Sequence, residues 1–368
     1  METRKKIDKI NEKSEIIRGT LFSFYENLSQ AKQEKVKIEE KNLDMSLMPL
    51  DGDKYFTENI KKEVYKFKYN GLYEFTVNNR KIKLYISDYE KKNYKKMIEK
   101  IKNILFFVTK YVDEDCIKIL NLHLYLTNQK KEMPSDGKIK EKNINSAFTY
   151  TRVDSECIDN NHVYIYRKEE LVRALIHELM HAFNIEKKFR VDTRYNDEIN
   201  RLFNIENSNL LLEEMLAESY AGILNLVFSE KISLKNKESF LKSFMKVYYV
   251  ERDYLLFQCI KLLKMFKIKY EDLLKVGGVE KINLKTDTNV FSYIFLKAML
   301  FIDLEKVFEV CYGDKKLIGC EKTDKFYEII KYKYRSEEFM RYLKYGEKLY
   351  KKEKNKTRKK TLRLTIVE

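Results

Sequence analysis

The sequence predicts an α+β fold in which a strand-rich first half precedes a mainly helical second half. Hydrophobic residues make up 44% of the 368 residues, which is enough for a sizeable core and excludes global disorder. The chain contains only 10 Gly and 2 Pro, a scarcity that favours helices and excludes collagen-like and Pro-rich architectures. Runs typical of strands occur up to about residue 167, and nearly all of the chain beyond it has the helical period.

Composition and turn signals divide the chain into four segments. Residues 1–52 are a charged helical extension that ends in a turn containing Pro49 and Gly52. An α/β lobe spans 53–190, and a helical lobe spans 191–350. The last segment, 351–368, is rich in Lys and Arg, and we expect a solvated, mobile basic tail there.

Within the α/β lobe each element has its own signal. Residues 73–77 and 81–86 alternate on either side of Asn78-Asn79, which predicts a β-hairpin. Residues 91–112 carry apolar side chains at helical spacing and predict a helix. The remaining strands are predicted from short apolar or alternating runs at 117–126, 144–151 and 162–167.

Membrane-spanning and secreted proteins do not fit this sequence. A transmembrane helix needs about 18 apolar residues, whereas the best candidate, 290–302, is too short and contains Lys297. The first residues show no apolar signal segment. The five cysteines form no C-x-x-C pair, so we expect neither a disulfide framework nor a thiolate zinc finger. We therefore expect an intracellular protein in a reducing compartment, with no membrane span.

The most informative pattern is His177-Glu178-Leu179-Met180-His181. On a helix, residues four apart project from one face, so the two imidazoles can bind one zinc ion. Glu178 then lies beside the metal, where its carboxylate can take a proton from zinc-bound water. This H-E-x-x-H pattern uses two of the chain's four histidines and lies in an apolar helix. The sequence therefore predicts one Zn²⁺ per chain, with His177 and His181 as ligands.

A catalytic zinc site needs a third protein ligand and an open position for water. No histidine occurs after His181, and His162 lies on a predicted strand where we expect a structural role. The remaining candidates are carboxylates of a second apolar helix, which carries Glu213, Glu214 and Glu218. Glu214 and Glu218 are four residues apart and share one helix face, and acids in so apolar a helix need partners.

With these residues, the chain resembles gluzincin-type zinc metallopeptidases of the zincin superfamily. The resemblance implies that Glu214 binds zinc, that Glu218 hydrogen-bonds a ligand histidine, and that Glu213 is the rival ligand. It also implies a zincin-like fold, in which a mixed β-sheet lobe carries the active-site helix and precedes a helical lobe. The gap from His181 to Glu214 is longer than in thermolysin-like enzymes, and the downstream oxyanion histidine of those enzymes is missing.

Over residues 117–310 the chain looks similar to uncharacterised metallopeptidases encoded by large DNA viruses of eukaryotes. The segments that carry this resemblance are 145–149, 164–170 with the H-E-x-x-H pattern, 214–218, 251–258 and 288–293. It implies a viral protein that acts in the host cytoplasm or in the virion and is not secreted. It implies no particular substrate.

A peptidase also needs a strand edge that holds extended substrate and a donor to the oxyanion. Residues 145–150 precede the active-site helix, where zincins place this edge strand; an ordinary internal strand is the alternative. The candidate oxyanion donors are Tyr195, Arg201, Tyr220, Tyr254 and Tyr293. We favour Tyr293, because the Asp, Thr and Asn at 287–289 predict a helix start that would fix it near a cleft.

The sequence therefore predicts a zinc-dependent metallopeptidase, an endopeptidase that acts on a protein or peptide substrate. The first alternative is a catalytically inactive zincin-like protein with a structural or host-interaction role. The second is a nucleic-acid-associated protein, suggested by the net charge of +16. Against the second, Lys outnumbers Arg and is interleaved with Glu, which is typical of a Lys-rich composition.

Overall fold

The structure is a computed structural model that describes residues 14–43, 56–112, 116–150, 158–185, 193–206, 210–275, 280–312 and 323–367. The chain divides into two compact units. The sheet unit consists of 26–131 and 145–185, and the helical unit of 1–25, 132–144 and 186–368. The mixed α and β content predicted from the sequence is confirmed. Residues 1–13 and 44–52 of the predicted N-terminal extension lie outside the described residues.

The sheet unit is built on a mixed β-sheet. Its strands in the described chain are β1 (Glu39–Asn42), β2 (Tyr69–Val77), β3 (Arg80–Asp88), β4 (Ile119–Tyr125), β5 (Ala147–Thr149) and β6 (Asn160–Ile165). They lie in the order β1-β2-β3-β4-β6-β5, with parallel pairing of β4 to β3 and β6 and antiparallel pairing elsewhere. The predicted hairpin is confirmed: Asn78 and Asn79 form the turn between β2 and β3, both at positive φ, which Asn tolerates.

One face of the sheet is aliphatic and buried. The helices of the chain up to residue 185 are α1 (Glu15–Gln33), α2 (Glu58–Val64), α3 (Lys95–Thr109), α4 (Glu141–Ile144) and α5 (Leu171–Ala182). The buried aliphatic residues alternate along the three central strands: Ile82, Leu84, Ile86, Leu120, Leu122, Leu124, Val163 and Ile165. Helices α3 and α5 contact the sheet and each other, and they cover this face.

The opposite face carries a row of stacked rings. Tyr85, His123, Tyr164 and Phe148 are register neighbours on β3, β4, β6 and β5. Their ring centroids are 4.6, 4.6 and 4.8 Å apart from one neighbour to the next. Phe56, just before α2, packs edge-on against Phe148 and Tyr164. Ring stacking across adjacent strands therefore supports the register on this face.

The helical unit is helical almost throughout, as predicted for the chain beyond residue 168. Its helices after residue 185 are α6 (Thr193–Leu202), α7 (Leu212–Val227), α8 (Lys237–Phe266), α9 (Tyr270–Leu273), α10 (Lys297–Ile302), α11 (Leu304–Tyr312), α12 (Thr323–Lys333), α13 (Glu337–Lys352) and α14 (Lys356–Lys360). A π-helical segment, Ser292–Leu296, leads directly into α10. A short parallel pair, β7 (Ile205–Glu206) and β8 (Ile282–Asn283), completes the unit.

Helices α8 and α13 approach each other closely. Asn236 caps the start of α8 by accepting a hydrogen bond from the Ser239 amide, and Ser336 caps α13 in the same way through Phe339. At their contact, a Cβ on Gly346 would lie 2.9 Å from the Leu256 carbonyl oxygen. Only glycine fits at this position without moving a backbone.

The last described residues do not form the solvated tail that we expected for 351–368. Leu362, Leu364, Thr365 and Val367 are buried within the helical unit. Asn225 donates to the Val367 carbonyl oxygen over 2.8 Å, and partners on α8 and α10 hold other main-chain groups of the segment. The run of Lys and Arg ends at Lys360, and an alternating apolar pattern begins after it. The Lys-rich composition of 351–368 as a whole conceals this pattern.

Two further expectations concern the membrane and the cysteines. In the described part of the chain, no helix is both long enough and apolar enough to cross a membrane. Cys259 is a buried free thiol. Cys116 takes part in a disulfide, which differs from the expectation drawn from cysteine spacing. Spacing along a chain does not report which cysteines meet in space.

We predict opposite effects for alanine at two helical glycines. Gly346→Ala places its methyl against the backbone of α8 and lowers the free energy of unfolding by about 1–2 kcal/mol. The added methyl of Gly19→Ala, in α1, meets no atom within 4 Å. This substitution raises the free energy of unfolding by about 0.5–1 kcal/mol, because Ala favours the helix more than Gly does. Urea unfolding monitored by circular dichroism measures both. Equal effects of the two substitutions would contradict the close contact at Gly346.

Candidate metal centre

The H-E-x-x-H pattern lies on α5, and the local sequence explains where this helix ends. Asn184 adopts positive φ, and its amide donates to the His181 carbonyl oxygen over 2.9 Å. The Ile185 amide donates to the Met180 carbonyl oxygen over 2.8 Å. These two bonds are those of a Schellman motif, with Asn at the left-handed position. The helix therefore stops one residue after His181, and both histidines lie within its last two turns.

The start of α5 rests on a buried cluster of charges that no local sequence pattern had indicated. Glu170 precedes the helix at a φ of 60°, a strained conformation for a residue with a side chain. Its carboxylate lies 2.6 Å from the Lys131 ammonium and 3.7 Å from the Arg173 guanidinium. Burial lowers the pKa of Lys131 to about 8, although Glu170 opposes this shift. These charges hold the first turn in place.

His177 and His181 direct their Nε2 atoms toward each other. The two atoms are 3.1 Å apart, and the ring planes are inclined by 77°. Two nitrogens bound to one tetrahedral zinc ion at about 2.0–2.1 Å would lie about 3.3–3.4 Å apart. The observed separation is therefore close to that of two ligands of one metal ion. Glu178, between them in sequence, is buried.

Three residues of two helices form a group that could hold a metal ion. His177, His181 and Glu214 each offer one ligand atom, and these atoms all lie within 4.8 Å of one another. Glu214 is in the first turn of α7, where a carboxylate interacts favourably with the helix dipole. His181 and Glu214 are half-buried. Two imidazoles and one carboxylate match the donor set of catalytic zinc sites.

Glu213, the rival ligand, is engaged elsewhere. The Asn196 side-chain amide donates to both carboxylate oxygens of Glu213, over 3.2 and 3.4 Å. Asn196 also accepts a hydrogen bond from the Leu212 amide over 2.8 Å and so caps α7 from α6. The capping residue therefore holds Glu213 at the helix start, and Glu213 is not a member of the metal-binding group.

Glu218 lies one turn further along α7 and is fully buried. Its Oε1 is 2.9 Å from the ammonium of Lys297, which is also fully buried. The same ammonium donates to the Leu364 carbonyl oxygen over 3.4 Å and lies over the Phe301 ring. A signal for this partner is present in the sequence, because Lys297 is the single charge in the apolar run 290–302. The expected bond from Glu218 to a ligand histidine stays a prediction.

Tyr293 lies in the π-helical segment that precedes α10. Its neighbour Ser292 accepts a hydrogen bond from the Leu211 amide over 3.2 Å, which joins this segment to the start of α7. The Tyr293 amide donates to the Asn289 carbonyl oxygen over 3.0 Å, so a helix starts here as predicted. Single π-turns inside helices are frequent at functional sites.

Two other candidate oxyanion donors have partners within the helical unit. The Tyr254 hydroxyl donates to the Arg363 carbonyl oxygen over 3.3 Å. The Tyr195 ring packs against Tyr327, with centroids 5.2 Å apart. Tyr220 is buried on α7, and Arg201 is exposed at the end of α6. These positions give no reason to prefer any of the four over Tyr293.

The other two histidines form a separate pair in the sheet unit. His123 Nε2 and His162 Nδ1 are 3.1 Å apart on neighbouring strands, and the rings are stacked. Burial lowers the pKa of His123 to about 3, with a smaller contribution from His162. His123 is therefore neutral near pH 7 and belongs to the row of stacked rings. The structural role expected for His162 stays a prediction.

Comparison with protein families, with curated proteins and with solved structures gives no match for this chain.

We predict that His123 makes stability depend on pH in the acid range. Its pKa is about 3 when folded and about 6.5 when unfolded, so below pH 6.5 the unfolded chain binds the extra proton. Between pH 7 and pH 5, protonation of His123 in the unfolded chain therefore lowers the free energy of unfolding by about 2 kcal/mol. His123→Phe, which keeps an aromatic ring at this position, should abolish this part of the decrease in stability between pH 7 and pH 5. Tyr85→Phe should leave the decrease unchanged. Urea unfolding at both pH values measures it, and an unaltered pH dependence in His123→Phe would refute the assignment.

Proposed function

We propose that this protein is a zinc-dependent metallopeptidase with a zincin-like arrangement, in which His177, His181 and Glu214 hold one Zn²⁺. The grouping of their ligand atoms within 4.8 Å carries the proposal. Structural zinc sites usually have four protein ligands, often cysteines, whereas catalytic sites have three and keep a position open. A group of two histidines and one glutamate, with no fourth member in the described part of the chain, supports the catalytic class.

The chain's own residues have distinct roles in the proposed reaction. A bound zinc ion would lower the pKa of a water molecule toward 7 and polarise the carbonyl of the scissile peptide bond. Glu178 takes a proton from that water and delivers it to the leaving amine, the usual work of a general base and acid. The Tyr293 hydroxyl donates to the oxygen on which negative charge develops. Glu218, paired with Lys297, holds the helix that bears Glu214.

The substrate is an extended peptide that pairs with strand β5. This strand is the last in the sheet order, so its outer edge is not used by another strand of the sheet. It contacts α5, the helix of the H-E-x-x-H pattern. Tyr150, directly after β5, is about half exposed and packs edge-on against Phe148. Main-chain pairing at an edge gives binding that depends little on substrate sequence, and an exposed ring adds apolar contact.

The first test is the metal content of the purified, dialysed protein. The wild type should retain about one zinc per chain, and Glu214→Ala should retain almost none because one of three ligands is lost. Glu213→Ala is the matched control and should retain zinc, because Asn196 already engages that carboxylate. Inductively coupled plasma mass spectrometry, together with the protein concentration, gives the number of zinc ions per chain. Equal loss in both variants, or a wild type that takes up no zinc, would contradict the proposed site.

The second test separates catalysis from metal binding. Glu178→Gln keeps the shape of the side chain but cannot accept the proton, so kcat should fall by about 10²–10⁴-fold with zinc content unchanged. A fluorogenic peptide library, cleaved by the zinc-loaded wild type and variant, provides the measurement. Undiminished cleavage by Glu178→Gln would refute the mechanism. A zinc-loaded wild type that cleaves no peptide would instead favour a catalytically inactive role.

A further inference from the structure

The net charge of the chain is concentrated in one short region. Residues 341–360 contain ten Lys and Arg and only two Glu. These 20 residues therefore carry a net charge of +8, half of the +16 of all 368 residues. The other 348 residues together carry the remaining +8, so the net charge per residue is far higher in this region. The excess is thus a local feature, which a Lys-rich composition alone does not produce.

Helix α13 arranges part of this charge in a row. Arg341, Lys344, Lys348 and Lys351 succeed one another in steps of three or four residues, so they lie along one side of the helix, with Lys352 beside them. All five are exposed. The row from 341 to 352 is about 16 Å long at the rise of an α-helix. The opposite side of α13 is apolar and buried, and it packs against α8.

Helix α14 carries further cations and is held in place at the end of α13. The Asn355 side chain caps α14 by accepting hydrogen bonds from the Thr357 and Arg358 amides, over 2.9 and 3.2 Å. Lys359 lies over the Tyr350 ring of α13, with its ammonium 5.1 Å from the centroid. Segment 361–367, of which Leu362, Leu364, Thr365 and Val367 are buried, comes directly after this helix. We call the exposed cations of α13, α14 and their link the C-terminal basic face.

We propose that the C-terminal basic face binds the phosphate backbone of nucleic acid without sequence preference. A row of cations about 5 Å apart along a helix suits a polyanion that carries a charge every 3.4 Å of each strand. Lys exceeds Arg on this face, and Lys contacts phosphates as a point charge rather than reading bases in the bidentate way of Arg. A bilayer-bound helix would need an exposed apolar side, and the apolar side of α13 is buried.

Fluorescence anisotropy tests the proposal. The full chain is titrated into a fluorescein-labelled DNA duplex, and into the RNA duplex of the same sequence, at about 50 to 200 mM KCl. Each duplex has about 20 base pairs and an arbitrary sequence. The tested variant carries Lys344→Gln, Lys348→Gln, Lys351→Gln and Lys352→Gln. Its binding should weaken at least about tenfold at 0.1 M salt, and the slope of log K against log salt should become shallower by about 3–4. The four positions are exposed, so its circular dichroism spectrum should match that of the wild type.

The control carries Lys62→Gln, Lys66→Gln, Lys95→Gln and Lys96→Gln, which remove the same charge from exposed positions of the sheet unit. It should bind as the wild type does. Equal weakening in the control would show that only net charge matters, and a wild type that binds neither duplex at about 50 mM salt would also overturn the proposal. Phosphatidylserine vesicles are tested in parallel: tighter binding to vesicles than to either duplex, lost in the first variant, would assign the face to a membrane surface instead.

Discussion

The part of the candidate centre that lies in the helical unit depends on one buried ion pair, Glu218 with Lys297. Both side chains are almost fully removed from water, and their charged atoms are 2.9 Å apart. Such a pair offsets its loss of hydration only when further hydrogen bonds complete it, and the Leu364 carbonyl oxygen supplies one. Loss of one partner would leave a buried charge at a cost of about 3–5 kcal/mol. One ammonium thus joins the helix of Glu214, the end of the π-helical segment that bears Tyr293, and the C-terminal segment.

The remaining contacts of α7 explain why Glu214, and not its neighbour, is the candidate ligand. Asn196 and Ser292 hold the amides at the start of the helix, and the same Asn196 engages Glu213. The two histidines, by contrast, need only α5, since their spacing and the helix end at Asn184 set their separation. The two helices therefore contribute differently to the candidate centre. The histidine pair of α5 follows from helix periodicity, whereas the position of the Glu214 carboxylate on α7 depends on tertiary contacts.

Local periodicity in the sequence predicted the regular elements around the candidate site. The β2–β3 hairpin, α3, the helix of the H-E-x-x-H pattern and the helix of Glu214 all lie where their apolar spacing placed them. Periodicity did not predict β1, whose four residues show no apolar alternation, nor the buried end of the chain, whose signal is hidden behind a run of Lys. The Lys131–Glu170 and Glu218–Lys297 pairs join residues 39 and 79 positions apart, and no local pattern reports such contacts. A charged residue within an apolar run is the sequence feature that indicates such a buried pair, because a buried charge requires a partner.

A crystal structure of the zinc-loaded protein, with anomalous diffraction measured on both sides of the zinc absorption edge, tests the proposed metal centre most directly. We expect one anomalous peak within about 2.0–2.2 Å of Nε2 of His177, Nε2 of His181 and one carboxylate oxygen of Glu214. A peak at the His123–His162 pair, a peak bound by Glu213 in place of Glu214, or no peak at all would contradict it.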